Sequence, residues 1–162
     1  MKKNRKNLGF TLVEIIVVLL LISIIAATVF SRSINTDRLN FVAQVDKIRN
    51  QIRYPQSMAM KLGESWGFSS DANDYWIFSG TNENNVSEQK LLPGEKTVKI
   101  ALNDLGVTMD AFTVYFDKYG RPYWNGWNDP TDLIGVEEEI NLTDSGSFSQ
   151  SIKIVGETGL VE

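Results

Sequence analysis

Residues 1–31 read MKKNRKNLGFTLVEIIVVLLLISIIAATVFS, and this stretch decides how the rest of the chain is arranged. A leader, residues 1–9, carries four Lys or Arg residues and no acid. The junction at 9–14 reads GFTLVE, and the run from 15 to 30 is apolar except for one Ser and one Thr. The stretch therefore has a basic part, a short junction and an apolar part, in that order.

The apolar part is long enough to cross a membrane as a helix. Residues 10–30 would extend about 31 Å at about 1.5 Å per residue, close to a hydrocarbon core about 30 Å thick. The basic leader predicts a cytoplasmic N-terminus by the positive-inside rule. Glu14 is the one ionisable residue inside this apolar segment. A carboxylate costs about 2.5–3.5 kcal/mol at a bilayer centre and less near the interface, so the presence of Glu14 needs a reason.

Two ordinary interpretations of this stretch are possible. A removed secretory signal has the same order of basic, apolar and small residues, with Ala26 and Ala27 as the small ones. The apolar run is longer than the roughly 7–15 residues of such a signal. A plain membrane anchor fits the length, but it leaves Glu14 and the junction at Gly9-Phe10 unexplained.

A third interpretation accounts for both features. The sequence GFTLVE after a short basic leader closely resembles the class III signal of type IV pilins and of type II secretion pseudopilins. The resemblance implies that a membrane prepilin peptidase cuts between Gly9 and Phe10, that Phe10 is then N-methylated, and that Glu14 acts in subunit assembly. The new amine at Phe10 would lie one helical turn from Glu14, and the amine of a neighbouring subunit could pair with that carboxylate.

After the membrane segment, apolar residues continue at helical spacing with charged residues between them. The apolar positions are Ile34, Phe41, Val45, Ile48, Ile52, Ala59 and Leu62. The spacing predicts one long helix to about residue 62, with a transmembrane half at 10–30 and an amphipathic half at 31–63. Pro55 should kink this helix or end one segment, and Gly63 is a suitable C-terminal stop.

Residues 64–162 show short β-like runs separated by turn residues. The predicted strands are Trp66–Ser69, Tyr75–Ser79, Thr97–Leu102, Phe112–Asp117, Arg121–Trp124, Glu139–Leu142, Ser151–Val155 and Leu160–Val161. Asp117–Gly120 suits a hairpin turn, and residues 82–90 read as a mobile polar loop. The prediction is an α+β fold in which the helix packs on an antiparallel sheet, as in the pilin-like architecture.

The region from Phe112 to the C-terminus has a second resemblance. Its segments TVYFDKYGRPYW and EINLTDSGSFSQSIKIVGETGLVE look like the heads of H-type (GspH- or FimT-like) minor pseudopilins and of MSHA-type minor pilins. Ser31 occupies the place where major pilins usually have a proline. These features favour a minor subunit.

Composition restricts the chemistry. The chain has no Cys and no His, which excludes disulfides, thiolate nucleophiles and the commonest general base. Without residues 1–9, 12 basic residues remain against 20 acidic ones, so nucleic-acid binding is not expected. No reaction is indicated by these residues, and the chain is predicted not to be an enzyme and to use no cofactor.

Two groups of residues near or after the predicted hairpin turn at Asp117–Gly120 are candidate binding sites. Arg121, Trp124 and Trp127 could form a surface for a ligand or a secreted partner, although packing of these residues in the hairpin is the simpler explanation. Asp129 and Asp132 lie in an oxygen-rich loop and are weak candidates for calcium, but their spacing does not match an EF-hand.

The functional prediction is a minor pilin or pseudopilin of the bacterial inner membrane, with its head (residues 64–162) in the periplasm. The implied partners are the prepilin peptidase, other pilin or pseudopilin subunits, the inner-membrane assembly platform and membrane lipid. The alternatives are a DNA- or surface-binding minor pilin and a plainly anchored periplasmic domain.

Overall fold

The computed structural model describes residues 11–33, 36–124, 135, 137–144 and 148–162. The chain divides into two compact units, Met1–Leu39 and Asn40–Glu162. We call the second one the globular unit.

The first unit contains helix α1 (Leu12–Ser33). Within it, Leu12–Phe30 is a stretch of 19 residues that is long and apolar enough to cross a membrane. All of its side chains from 12 to 30 are exposed. An apolar helix without a covering protein surface is typical of a segment whose solvent is lipid.

Helix α2 (Thr36–Leu62) is amphipathic, and five apolar side chains of one face are buried in the globular unit. The buried ones are Phe41, Val45, Ile48, Ile52 and Ala59. Pro55 lies inside α2 and does not end it. The helix stops at Gly63, which has a φ of 72° and donates its N–H to the carbonyl of Ala59 at 2.9 Å, so the predicted stop is confirmed.

The sequence predicted one continuous helix through residues 34 and 35. The structure describes two helices, α1 and α2, on either side of them, and Ile34 and Asn35 lie outside the described residues. The predicted α+β class is confirmed, because α2 is followed by antiparallel β-sheets.

The remaining elements of the globular unit are, in chain order, β1 (Trp66–Ser70), β2 (Asp74–Ser79), β3 (Gln89–Lys90), β4 (Ile100–Ala101), α3 (Leu102–Leu105), β5 (Val107–Met109), β6 (Phe112–Phe116), β7 (Pro122–Trp124), β8 (Glu137–Asp144) and β9 (Ser149–Val155). A six-stranded antiparallel sheet has the order β3-β2-β1-β6-β7, with β4 also paired to β2. A three-stranded sheet has the order β5-β8-β9.

The two sheets and α2 share one apolar core. The inward-facing residues of β1, β2 and β6 pack with α2, and alternate residues of β8 and β9 complete the cluster. The core residues of β8 and β9 are each at most 1% exposed, and they are Ile140, Leu142, Ile152 and Ile154. This alternation is the period of two expected of strands with one buried face.

The larger sheet is also covered on its outer face. Trp76, Phe78 and Tyr115 form a second buried cluster there, and Tyr123 packs against it. A side chain at Gly67 would collide with this cluster, because a Cβ there would lie 2.2 Å from the ring of Phe78. The glycine therefore lets an aromatic ring lie directly on the sheet.

Residues 80–88, which we call the outer loop, are fixed to this aromatic cluster. The indole N–H of Trp76 donates to the carbonyl of Glu83 at 2.9 Å, and the hydroxyl of Tyr115 donates to the carboxylate of Glu83 at 2.5 Å. Burial and the adjacent Glu83 raise the pKa of Tyr115, which keeps its hydroxyl protonated as a donor. The sequence predicted a mobile loop, and the structure instead gives the outer loop fixed hydrogen-bond partners.

Six predicted strands are confirmed within two residues at each end, namely β1, β2, β6, β7, β8 and β9. Of the predicted strand Thr97–Leu102, only Ile100–Ala101 forms a strand, since residues 97–99 are not in a strand and Leu102 begins α3. Leu160–Val161 forms only an isolated bridge between Val161 and Ile154. The short strands β3 and β5 were not predicted, because each has too few residues to show a clear alternation.

Candidate processing and assembly site

Helix α1 begins with a capped first turn. The hydroxyl oxygen of Thr11 accepts a hydrogen bond from the backbone N–H of Glu14 at 3.3 Å. The carbonyl of Thr11 also accepts from the N–H groups of Glu14 and Ile15, at 3.1 and 3.3 Å. Thr11 is thus the N-cap residue, and its hydroxyl and carbonyl share the N–H of Glu14, which is one of the first donors of the helix. Such a cap matters more in lipid, where water cannot satisfy the same groups.

The sequence contained the signal for this cap. Thr11 and Glu14 are three residues apart, which is the spacing of a capping box. The capping role of Thr11 was not predicted from the sequence, where Glu14 was interpreted only as a charge in the membrane.

Between residues 12 and 30 of α1, the carboxylate of Glu14 is the polar side-chain group that needs a partner. The hydroxyls of Ser23 and Thr28 donate to backbone carbonyls of their own helix, at 2.7 and 2.8 Å. In the parts of the chain that the structure describes, no hydrogen bond or ion pair holds the carboxylate of Glu14, and its side chain is exposed. A charge at this position can be stabilised by the lipid interface or by a cation from another molecule.

Gly9 and Phe10, the predicted cleavage and methylation positions, lie outside the described residues. They directly precede the N-cap residue in the chain.

In the globular unit, Arg121 belongs to a closed hairpin. The carboxylate of Asp117 is buried and accepts from the backbone N–H groups of Tyr119 and Arg121, at 2.8 and 2.9 Å. It also accepts from Nε and Nη2 of Arg121, at 2.7 and 2.6 Å. The same ion pair raises the pKa of the Arg121 guanidinium. Gly120 closes the turn with a φ of 81°, so the predicted hairpin turn is confirmed.

Trp124 is used in packing. Its ring stacks on Phe112 with a centroid distance of 5.4 Å, and it contacts the main core. The guanidinium of Arg121 instead lies 5.3 Å from the ring of Tyr119. Arg121 and Trp124 thus contact different residues, so the structure does not bring these two members of the predicted binding surface together. Trp127, its third member, lies outside the described residues.

The weak calcium candidates, Asp129 and Asp132, also lie outside the described residues. Within the described ranges, no group of three or more His, Cys, Asp or Glu side chains could hold a metal ion.

The structure also shows a contact point that the sequence analysis missed. Gln56 on α2 donates to the carbonyls of Gly120 and Thr158, at 3.0 and 3.2 Å. A Cβ at Gly159 would lie 2.3 Å from the carbonyl oxygen of Gly120. The Gly120 hairpin and the turn at Thr158-Gly159 thus meet at Gln56, which explains structurally why both segments contain glycine.

Comparison with known protein families gives one match. Residues 4–30 match the family model described as the prokaryotic N-terminal methylation motif. No curated protein and no solved structure matches this chain.

The match covers residues 4–9 of the leader, the junction and most of the apolar helix, and it supports a type IV pilin-like protein that is processed as a prepilin. Together with the apolar helix α1, it also supports anchoring in the inner membrane.

Proposed function

We propose that this chain is a minor pilin or pseudopilin subunit that assembles into a type IV pilus or a type II secretion pseudopilus. The observation that carries the proposal is the methylation motif at 4–30, which continues into a capped helix long enough to span a membrane. The pilin-type class has structural members, so the proposed role is structural and not enzymatic.

In this proposal the prepilin peptidase removes residues 1–9 by cutting between Gly9 and Phe10, and Phe10 is N-methylated. Residues 10–30 then form the membrane and polymerisation segment, 31–63 the amphipathic segment and 64–162 the head. The four basic residues of the leader keep the N-terminus in the cytoplasm and direct the head to the other side.

Glu14 is proposed to guide assembly. It is the only ionisable residue between 10 and 31, and its carboxylate has no described partner. Cleavage creates an amine at Phe10, and the amine of a neighbouring subunit can pair with Glu14 in the low-dielectric interior. A subunit in the wrong axial register would leave the carboxylate unpaired, so pairing would select the correct register. Further partners are the assembly platform and the surrounding lipid.

Processing can be tested by co-expressing the full chain with a prepilin peptidase and measuring intact mass. We expect loss of residues 1–9 and the added mass of one methyl group at Phe10. Gly9→Val serves as the control, because a side chain at the cleavage position should block cutting. An uncut wild-type chain that remains in the membrane would support a plain anchor instead.

The role of Glu14 can be tested separately with Glu14→Ala. Insertion and cleavage should be normal, whereas incorporation into filaments should fall at least about tenfold, as expected for the loss of about 1.4 kcal/mol or more of pairing. Ser23→Ala is the matched control, because Ser23 is polar but bonded within its own helix. Assembly of Glu14→Ala at the wild-type level would disprove the pairing role.

The minor role rests on Ser31 at the usual proline position and on the head segments that look like minor subunits. Quantitative mass spectrometry of purified filaments would test it. We expect this chain at a small fraction of the main subunit, and the proposal of a minor role fails if it is the most abundant one.

A further inference from the structure

The outer loop carries a sequence pattern that the proposed function does not use. Asn85-Val86-Ser87 has the form Asn-x-Ser/Thr with x other than Pro, which is the acceptor pattern for N-linked glycosylation. The chain contains this pattern once more, at Asn141-Leu142-Thr143. In both copies a glutamate precedes the asparagine by two positions. The structure distinguishes the two copies.

At Asn85 the tripeptide is folded on itself. The backbone N–H and the hydroxyl of Ser87 both donate to the side-chain oxygen of Asn85, at 3.2 and 2.8 Å. The side-chain nitrogen of Asn85 donates to the carboxylate of Glu88 at 2.7 Å. Val86, between the two, is 79% exposed, and Ser87 is exposed as well.

This geometry favours reaction at the amide nitrogen. An amide nitrogen is a weak nucleophile because its lone pair is delocalised into the carbonyl. A hydroxyl donor on the oxygen stabilises the imidate form, and a carboxylate that accepts the N–H withdraws the proton. The turn around Asn85 supplies the first of these contacts from the hydroxyl of Ser87, and the carboxylate of Glu88 supplies the second.

At Asn141 the same tripeptide is held in a strand. Strand β8 is the middle strand of its sheet, paired with β5 on one side and with β9 on the other. Asn141 is paired with Ser151, and the hydroxyl of Thr143 contacts the hydroxyl of Thr108. A turn around Asn141 would require both ladders to open, so the hydroxyl of Thr143 cannot reach the amide of Asn141 in the folded protein.

We propose that Asn85 is an acceptor for an N-linked glycan, transferred from a polyprenyl diphosphate-linked oligosaccharide on the extracytoplasmic side of the membrane. Nδ2 of Asn85 forms a bond to the anomeric carbon of the first sugar, and the bond from that carbon to the diphosphate oxygen breaks. Polyprenyl diphosphate leaves with the electron pair, and a base of the transferase takes the Nδ2 proton. The proposal rests on the proposed topology, which delivers the globular unit to that side.

The folded globular unit can carry a glycan at this position. The outer loop is fixed to the aromatic cluster by Glu83, through Trp76 and Tyr115, and these contacts do not involve Asn85. Modification replaces one of the two hydrogens on Nδ2 of Asn85. The contact that it affects is the one with Glu88, and the attachment of the loop through Glu83 is unchanged. The glycan would extend into solvent beside the exposed Val86.

The test uses the full chain co-expressed with an oligosaccharyltransferase that accepts Asn-x-Ser/Thr without requiring an acidic residue two positions earlier, together with its lipid-linked glycan, because Glu83 is bound by Trp76 and Tyr115. Intact mass should increase by one glycan, and peptide mapping should place the glycan on Asn85. Asn85→Gln and Ser87→Ala should abolish the increase, whereas Ser87→Thr and Asn141→Gln should keep it.

Protease accessibility of the globular unit in spheroplasts separates the two possible failures. An accessible globular unit without glycan, or with glycan on Asn141 in place of Asn85, would overturn this inference alone. A globular unit that remains in the cytoplasm would overturn the proposed topology and this site with it.

Discussion

Asp117 shows how much one buried carboxylate can organise. It is 5% exposed, and it accepts two backbone hydrogen bonds within its own turn as well as the guanidinium of Arg121. The hairpin between β6 and β7 is thus held by a side chain that sits where the turn begins. Gly120, at the end of the same turn, accepts a hydrogen bond from Gln56 through its carbonyl, and this contact joins the hairpin to α2.

We predict that Asp117→Ala lowers the free energy of unfolding by about 2–3 kcal/mol, because the backbone donors at 119 and 121 lose a buried acceptor. Urea unfolding of the full chain in detergent micelles, followed by tryptophan fluorescence, measures this. Asp104→Ala, at an exposed position on α3, should change stability by less than about 0.5 kcal/mol. Equal losses in the two variants would contradict the role of Asp117.

A second residue-scale prediction concerns the close approach at Gly159. Gly94 and Gly159 both have positive φ, 85° and 65°, but a Cβ at Gly94 would meet nothing within 4 Å. Gly94→Ala should therefore cost only the conformational strain, about 1–2 kcal/mol.

Gly159→Ala should cost a further 1–3 kcal/mol or so, because its Cβ would collide with the carbonyl oxygen of Gly120 and with Gln56. The difference between the two variants in the same unfolding assay isolates the collision. A difference near zero would show that the two turns do not need to be in contact.

At the scale of elements, a chain of polar groups attaches the segment between β3 and β4 to helix α2. Glu95 accepts from Lys47 at 2.7 Å and from Gln51 at 2.8 Å. Gln51 in turn accepts from the hydroxyl of Tyr75 at 2.6 Å. Burial raises the pKa of Tyr75 well above its usual value, so this hydroxyl remains a donor. The polar chain thus connects the interior of the larger sheet to the surface.

This attachment predicts a specific sensitivity to acid. The hydrogen bond from Lys47, with a smaller contribution from Gln51, lowers the pKa of Glu95 against the opposing effect of burial. A lowered pKa in the folded state adds stability above the pKa of the unfolded chain, about 4.3, and this stability is lost as the pH falls through the folded value.

Glu95→Gln should be less stable than wild type at neutral pH and should lose less stability between about pH 7 and about pH 3, a range that includes the unfolded pKa. Urea unfolding at several pH values gives both slopes. Glu64→Gln, which alters an exposed carboxylate, should keep the wild-type slope. An unchanged slope in Glu95→Gln would show that Glu95 does not contribute to acid sensitivity.

At the scale of the whole molecule, the division at residues 39 and 40 separates a helix whose solvent is lipid from a unit with its own apolar core. The forces that stabilise the two are different. Helix α1 is stabilised by its internal hydrogen bonds in lipid, whereas the globular unit depends on packing that urea weakens.

We therefore predict that urea unfolds the full chain in micelles in two separable steps. All tryptophans lie beyond residue 40, so fluorescence should report one cooperative transition of the globular unit. Far-UV circular dichroism should retain helical signal from the 22 residues of α1 after that transition. Loss of all helical signal together with the fluorescence change would contradict the independence of the two units.

The sequence by itself determined the α+β fold class, the N-terminal processing motif and most of the elements. The junction at Gly9-Phe10, the single carboxylate Glu14 and the apolar run are local features, and a family model matches the same residues. The burial of Phe41, Val45, Ile48 and Ile52 followed from helical spacing, and the β-rich character of the rest followed from the alternation of apolar residues and turns. These properties depend on neighbours within a few positions, which a sequence contains directly.

Tertiary structure alone decided which distant residues meet. The contacts of Gln56 with Gly120 and Thr158 join residues 64 and 102 positions apart, and no local period encodes such pairs. The attachment of the outer loop through Glu83 and Tyr115 is of the same kind. The two Asn-x-Ser/Thr tripeptides are equivalent as sequence, and only strand pairing separates one in a turn from one in a sheet. The reason is physical, because hydrogen bonds and packing between distant segments form only when the whole core is assembled.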